Sequence, residues 1–119
     1  MYNALIRTHH ITSRKKVAVL KAAAKELQCY ALLRTGGTPG VMFVQGNSQD
    51  RVQRWVETVR NLHYMGYQLA SPAAAAARGF GPSNYGSLVE VSTVKDMAAK
   101  MNSCDLADWW RKAMGFTNE

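Results

Sequence analysis

The sequence predicts an α+β fold: a ferredoxin-like β-α-β-β-α-β unit with an added C-terminal strand and short helices. Three observations point there. Short apolar or alternating runs interleave with two amphipathic stretches whose apolar residues recur at helical spacing. Turn residues fall between them, as in Thr35-Gly-Gly-Thr-Pro-Gly40. The 119 residues, 47% of them hydrophobic, supply one domain's core without help from disulfides. The expected organisation is a single domain over 1–119, with a core at 2–70 and a C-terminal extension at 87–115.

Residues 2–10 read as a strand, with Ala4, Ile6 and Thr8 alternating against Leu5, Arg7 and His9. Thr12 or Ser13 offers an N-cap hydroxyl for a helix to about Gln28. Its inward stripe is Val17, Leu20, Ala24 and Leu27, with Lys21 and Lys25 towards another side. Residues 29–34 and 41–45 are the next strands. Asn47 is the expected cap of a second helix, with Asp50 in its acid-favouring first turn. That helix turns Val52, Trp55, Val56, Val59 and Leu62 inward. Tyr67 to Ala70 reads as a fourth strand. From 71 to 87 the rhythm breaks. The alanine tract Ala73 to Ala77 lies between Pro72 and a run rich in glycine, so a loop or one helical turn is expected, a surface linker or a loop that a partner orders. Leu88 to Val91 forms a strand, Thr93 caps a helix through about Met101, and a last helix runs from near Ser103 to Ala113 until Gly115 stops it.

Composition excludes several classes. The apolar content is too high for a disordered chain, and no apolar run is long enough to span a membrane. No secretory signal is legible at the N-terminus, and two cysteines make no disulfide framework, so a reduced, intracellular protein of nucleus or cytoplasm is expected. No cofactor or metal is expected. His9 and His10 point to opposite faces of a strand, and Cys29 and Cys104 lie far apart. The chain has no Gly-x-Ser-x-Gly elbow and no Gly-Lys-Ser/Thr after Gly36-Gly37. An enzyme would regain ground if His9 or His10 sat in a deep pocket beside a carboxylate.

The formal net charge is +7. The excess lies in the first third, where Arg7, Arg14, Lys15, Lys16, Lys21, Lys25 and Arg34 meet only Glu26, whereas 76–119 is balanced. Such asymmetry favours a polyanionic partner. Arg14, Lys15 and Lys16 break a local rule, because they occupy a helix's first turn, where the macrodipole repels cations. Free amides point the same way. Together with Thr12, Ser13 and His10 they predict a cradle for phosphate or carboxylate. Lys21, Arg7 and Arg34 would extend the basic surface, and His9 and His10 would add hydrogen bonds or stacking. On the sheet, Ala4, Ile6, Met42 and Val44 are expected to face the helices. Arg7, His9, Phe43 and Gln45 would face the opposite way, under a cover made by the C-terminal strand and the helix of Trp109 and Trp110.

The motifs His9-His10-Ile11-x-Ser13-x-Lys15-Lys16, Thr38-Pro39-Gly40-Val41-x-Phe43-Val44-x-Gly46, Trp55 and Val59-Arg60 resemble one small domain family. It forms the C-terminal domain of the spliceosomal pre-mRNA-processing factor three family, and a variant follows the RWD domain in RWD-domain-containing proteins. The resemblance runs over roughly residues 5–115 and is nearer the second group. It implies a ferredoxin-like domain without catalytic residues, and in the splicing branch a domain that binds small nuclear RNA. That branch lacks the His-His-Ile start, so its RNA contacts do not transfer to these positions. The sequence carries no RWD region before the domain, so a free-standing protein or an excised domain is expected. The functional expectation is a non-enzymatic RNA-binding domain. Its alternative is an interaction module for an acidic protein surface; a membrane is not an expected partner.

Overall fold

A computed structural model describes residues 1–116. Its elements run β1 (Tyr2–Thr8), α1 (Arg14–Leu27), β2 (Tyr30–Arg34), β3 (Gly40–Gly46), α2 (Gln49–Asn61), β4 (Gln68–Ala75), β5 (Ser87–Val91), α3 (Val94–Ser103) and α4 (Ala107–Met114). The strands form one mixed sheet in the order β4-β1-β3-β2-β5. β1 lies antiparallel to β3 and β4, β3 antiparallel to β2, and β5 parallel to β2.

Strand alternation sorts the core into two halves. Ala4, Ile6, Ala31, Leu33, Met42 and Val44 pack under α1 and α2, against Val17, Leu20, Trp55 and Val59. Leu5, Tyr30, Leu32, Val41 and Phe43 pack on the other face against Met97, Met101, Leu106 and Trp110 of the α3–α4 region. The faces separate as the alternation predicts, and the second is closed by α3 and α4; the C-terminal strand expected in that cover instead extends the sheet as β5 beside β2. Phe43 is fully buried there, its ring centre 5.6 Å from that of Phe80 and 5.9 Å from that of Trp109. Of the two tryptophans of α4, Trp110 is the buried one and Trp109 is half-buried. The indole N–H of Trp55 donates to the Leu20 carbonyl at 3.1 Å and ties α2 to α1.

Several boundaries differ from the sequence reading. β1 ends at Thr8, so His9 and His10 belong to the loop before α1. Ser48, not Asn47, caps α2, its hydroxyl accepting from the Arg51 N–H. α4 starts at Ala107 rather than near Ser103, because Asp105 turns the chain at a positive φ of 61°. The largest correction concerns the alanine tract. Ser71 to Ala75 continue β4 and pair with β1 through register shifts at Asn3/Leu5 and Leu5/Ile6. β4 is an edge strand, where bulges and a proline without an N–H are tolerated.

The segment after β4 is not a loose linker. Gln45, fully buried, donates from its carboxamide to the Phe80 carbonyl and the Tyr85 hydroxyl, both at 2.8 Å, and accepts the Phe80 N–H at 2.9 Å. The Gly86 N–H then donates to the Cys29 carbonyl at 2.8 Å and leads the chain into β5 beside β2.

Candidate nucleic-acid interface

Strand directions decide which side chains share an end of the sheet. β1, β2 and β5 finish where β3 and β4 begin. At that end α1 and α3 start, while α2 and α4 finish. The predicted residues Arg7, His9, His10, Ser13, Arg14, Lys15, Lys16 and Arg34 are all at this end; Lys21 lies further along α1. Sharing an end is not the same as converging on one cradle.

Consecutive helical residues are about 100° apart, so Arg14, Lys15 and Lys16 diverge around α1. Arg14 turns to the β5 edge and forms a two-point pair with Glu90, with contacts of 2.8 and 3.2 Å. Lys16 turns to the α2 side, its Nζ 4.9 Å from the centre of the Tyr64 ring, a cation–π distance. Lys15 is exposed. Ser13 is the N-cap, and its hydroxyl accepts the Lys16 N–H at 3.2 Å. The expected convergence of three cations on free amides is therefore corrected: one cation is neutralised by Glu90, and one amide is satisfied by the cap.

Glu90's carboxyl is held below the ordinary carboxylate value, first by the hydrogen bond from Arg14. The charges of Arg14 and Lys21 act in the same direction. Arg14 is correspondingly raised by the same hydrogen bond and charge. Burial pushes the Tyr64 phenol up, so it stays neutral beside Lys16.

Arg34 is a brace. Its guanidinium donates to the Ser92 and Pro39 carbonyls, both at 3.0 Å, and so holds the β2–β3 and β5–α3 loops together. Arg7 donates to the Met114 carbonyl at 3.3 Å and satisfies an end of α4. His9 and His10 are exposed, their rings in a T-shaped contact at 4.6 Å, with the His9 N–H donating to the Met65 carbonyl. A cleft of about 390 Å³ opens here, lined by Arg7, Thr8, His9, Thr38, Pro39, Gly66 and Gln68. Arg7 and His9 are the titratable side chains that line it. Gly40 sits against Thr8 and Ile11 so closely that a Cβ at 40 would strike the Thr8 hydroxyl oxygen.

Sequence reasoning missed part of this end. Lys95 opens α3, and Arg111 and Lys112 close α4, so distant stretches bring further exposed cations to the side where α1 begins. The carboxylates there are Glu57, paired with Arg60 at 3.5 Å, Glu90 and Asp96. The opposite end carries Glu26, Asp50, Asp105 and Asp108 close to its own cations. Most of the chain's net charge of +7 therefore lies at one end. The missing signal was strand direction: β5 parallel to β2 obliges α3 to start at that end and α4 to finish there.

No family model matches the chain, and no curated protein matches it. Among the described residues, no helix is long and apolar enough to cross a membrane.

Proposed function

We propose that this chain is a non-enzymatic RNA-binding domain of ferredoxin-like architecture, related to the splicing-factor and RWD-linked domain family, and that it grips the RNA backbone with the basic end of its sheet. The first six elements, with strands in the order β4-β1-β3-β2, support the ferredoxin-like reading. The observation that carries the functional reading is the one-ended charge. Exposed Lys15, Lys95, Arg111 and Lys112 share an end with the open cleft of Arg7 and His9. Closure of the far sheet face by α3 and α4 removes the platform on which bases would stack. Recognition is then dominated by phosphate and shape, and structured RNA is the expected ligand.

The test is fluorescence anisotropy with a labelled RNA hairpin. If four phosphates of the duplex stem are neutralised, affinity falls roughly 150-fold between about 50 and 200 mM salt. Lys15→Glu/Lys95→Glu/Arg111→Glu abolishes binding. Lys25→Glu/Arg51→Glu/Lys100→Glu changes total charge equally at the other end and leaves most of it. Absence of binding at low salt, or equal loss in both triple variants, overturns the proposal. Nuclease-resistant capture of an acidic protein by a chain that binds no RNA would assign the basic end to that partner instead.

A further inference from the structure

The cleft of Arg7 and His9 contains a feature that a diffuse electrostatic grip leaves unused. Thr8, the last residue of β1, lines it and is only 3% exposed. Among the described residues the Thr8 hydroxyl has no hydrogen-bond partner. Buried polar groups are nearly always satisfied, so a bare hydroxyl in the wall of a cleft marks a place for an incoming acceptor. The groups around it can all donate. Arg7 is half-buried and anchored from behind, one guanidinium N–H donating to the Met114 carbonyl at 3.3 Å. Thr38 adds an exposed hydroxyl, Gln68 a carboxamide and His9 an exposed imidazole. Backbone bonds fix the walls: the His9 N–H donates to the Met65 carbonyl at 2.9 Å, and the His9 carbonyl accepts the Gly40 N–H at 3.2 Å. His9 thereby ties the loop of Thr38 and Pro39 to the loop that leads into β4.

From this geometry we infer that the cleft seats the terminal phosphate monoester of an RNA strand. The inference rests on the RNA reading and names the part of the ligand that this cleft takes. A hydroxyl, a guanidinium and an imidazole together select an oxyanion, to which charged donors bond most strongly. A phosphate within the strand is flanked by sugars on both sides and carries a single charge. A terminal phosphate is esterified once and carries about −1.5 to −2. It enters end-on, which is what reaching a residue as buried as Thr8 requires. Exposed Lys15, Lys95, Arg111 and Lys112 lie on open surface and suit the phosphates that run past.

Fluorescence anisotropy of the whole chain with one RNA hairpin, labelled in its loop, tests it. The hairpin carries a 5′-phosphate, a 3′-phosphate, or hydroxyls at both ends. One phosphorylated form binds about tenfold more tightly than the hydroxyl form, the worth of one charge-assisted hydrogen bond. Thr8→Val removes the hydroxyl at constant shape. It abolishes most of that preference, and its Tm equals or exceeds that of the wild type, because an unmet buried hydroxyl is lost. Thr38→Glu, at an exposed position, puts a carboxylate into the cleft and brings the ratio of the two affinities to about one. Lys15→Glu weakens every form and keeps the ratio. Equal binding of all three hairpins, or a Thr8→Val chain that keeps the full preference, overturns the inference and leaves the RNA reading standing. Binding of no form at low salt overturns the RNA reading and this inference with it. Uridine monophosphate binding as tightly as the phosphorylated hairpin assigns the cleft to a free nucleotide and overturns the assignment to a strand end.

Discussion

Replacing Gln45 by Met keeps the length of the side chain and removes its amide. The side chain is fully buried, and three hydrogen bonds are lost together: two donated, to Phe80 and Tyr85, and one accepted from Phe80. A hydrogen bond contributes on the order of 1 kcal/mol net, and each buried partner left unmet costs roughly 1–3 kcal/mol. Phe80 and Tyr85 are only half-buried, so water re-solvates part of what is orphaned, and the expected loss is about 2–3 kcal/mol. An unfolding entropy of roughly 2.1 cal/mol/K per residue converts that to a fall in Tm of about 8–12 °C for a chain of this length. Urea denaturation followed by circular dichroism reads the same loss as a lower midpoint with an unchanged slope. Hydrogen exchange localises it, because the Phe80 and Gly86 amides lose protection before the strands do. A loss below about 0.5 kcal/mol, or intact protection of the Phe80 amide, would refute the claim that Gln45 anchors this segment.

Three further outcomes follow from the same geometry. Titration of Glu90 by NMR gives a midpoint below that of an ordinary glutamate, and Arg14→Gln brings it back up. A carboxyl depressed in the folded state stabilises above its unfolded pKa and loses that contribution as pH falls through the folded value, so stability measured in acid separates Glu90→Gln from wild type least at the lowest pH. Burial pushes the Cys29 thiol up to about 11, and Cys29 is fully buried, so iodoacetamide at pH 8 labels only the half-buried Cys104 in the native chain. Labelling of Cys29 without denaturant would contradict that packing. Trp55→Phe, which removes the bond to Leu20 and leaves a void between α1 and α2, costs about 2–3 kcal/mol by chemical denaturation.

The elements that sequence reasoning placed well are those whose burial is periodic. Val17, Leu20, Ala24 and Leu27 are buried at helical spacing on α1, and Val52, Trp55, Val56 and Val59 on α2. β4 was placed at its start, but its second half escaped because Ser-Pro-Ala-Ala-Ala has neither alternation nor β-branched residues. What makes it a strand is β1 beside it, at an edge where bulges absorb the proline. Gln45 could be assigned to a sheet face, but its meaning depends on what covers that face, and Phe80 lies 35 residues away. Glu90 lies 76 residues from Arg14, and no local pattern announces such a pair.

The basic end shows why function was harder to read than fold. A first-turn cluster of cations reads as a single cradle only if proximity in sequence means convergence in space. On a helix, adjacency means divergence: Arg14 reaches one neighbour, Lys16 another, and Lys15 neither. The charge that does accumulate comes from element ends, since β1, β2 and β5 all point one way and three helices deliver cations to the same place. A field assembled in this manner rests on no single residue. Reversing Lys15, Lys95 or Arg111 alone should weaken RNA binding only modestly, each by a similar factor, and the losses should multiply when combined. A built cradle would behave differently, with one reversal in the first turn of α1 abolishing binding and reversals on α3 and α4 leaving it untouched.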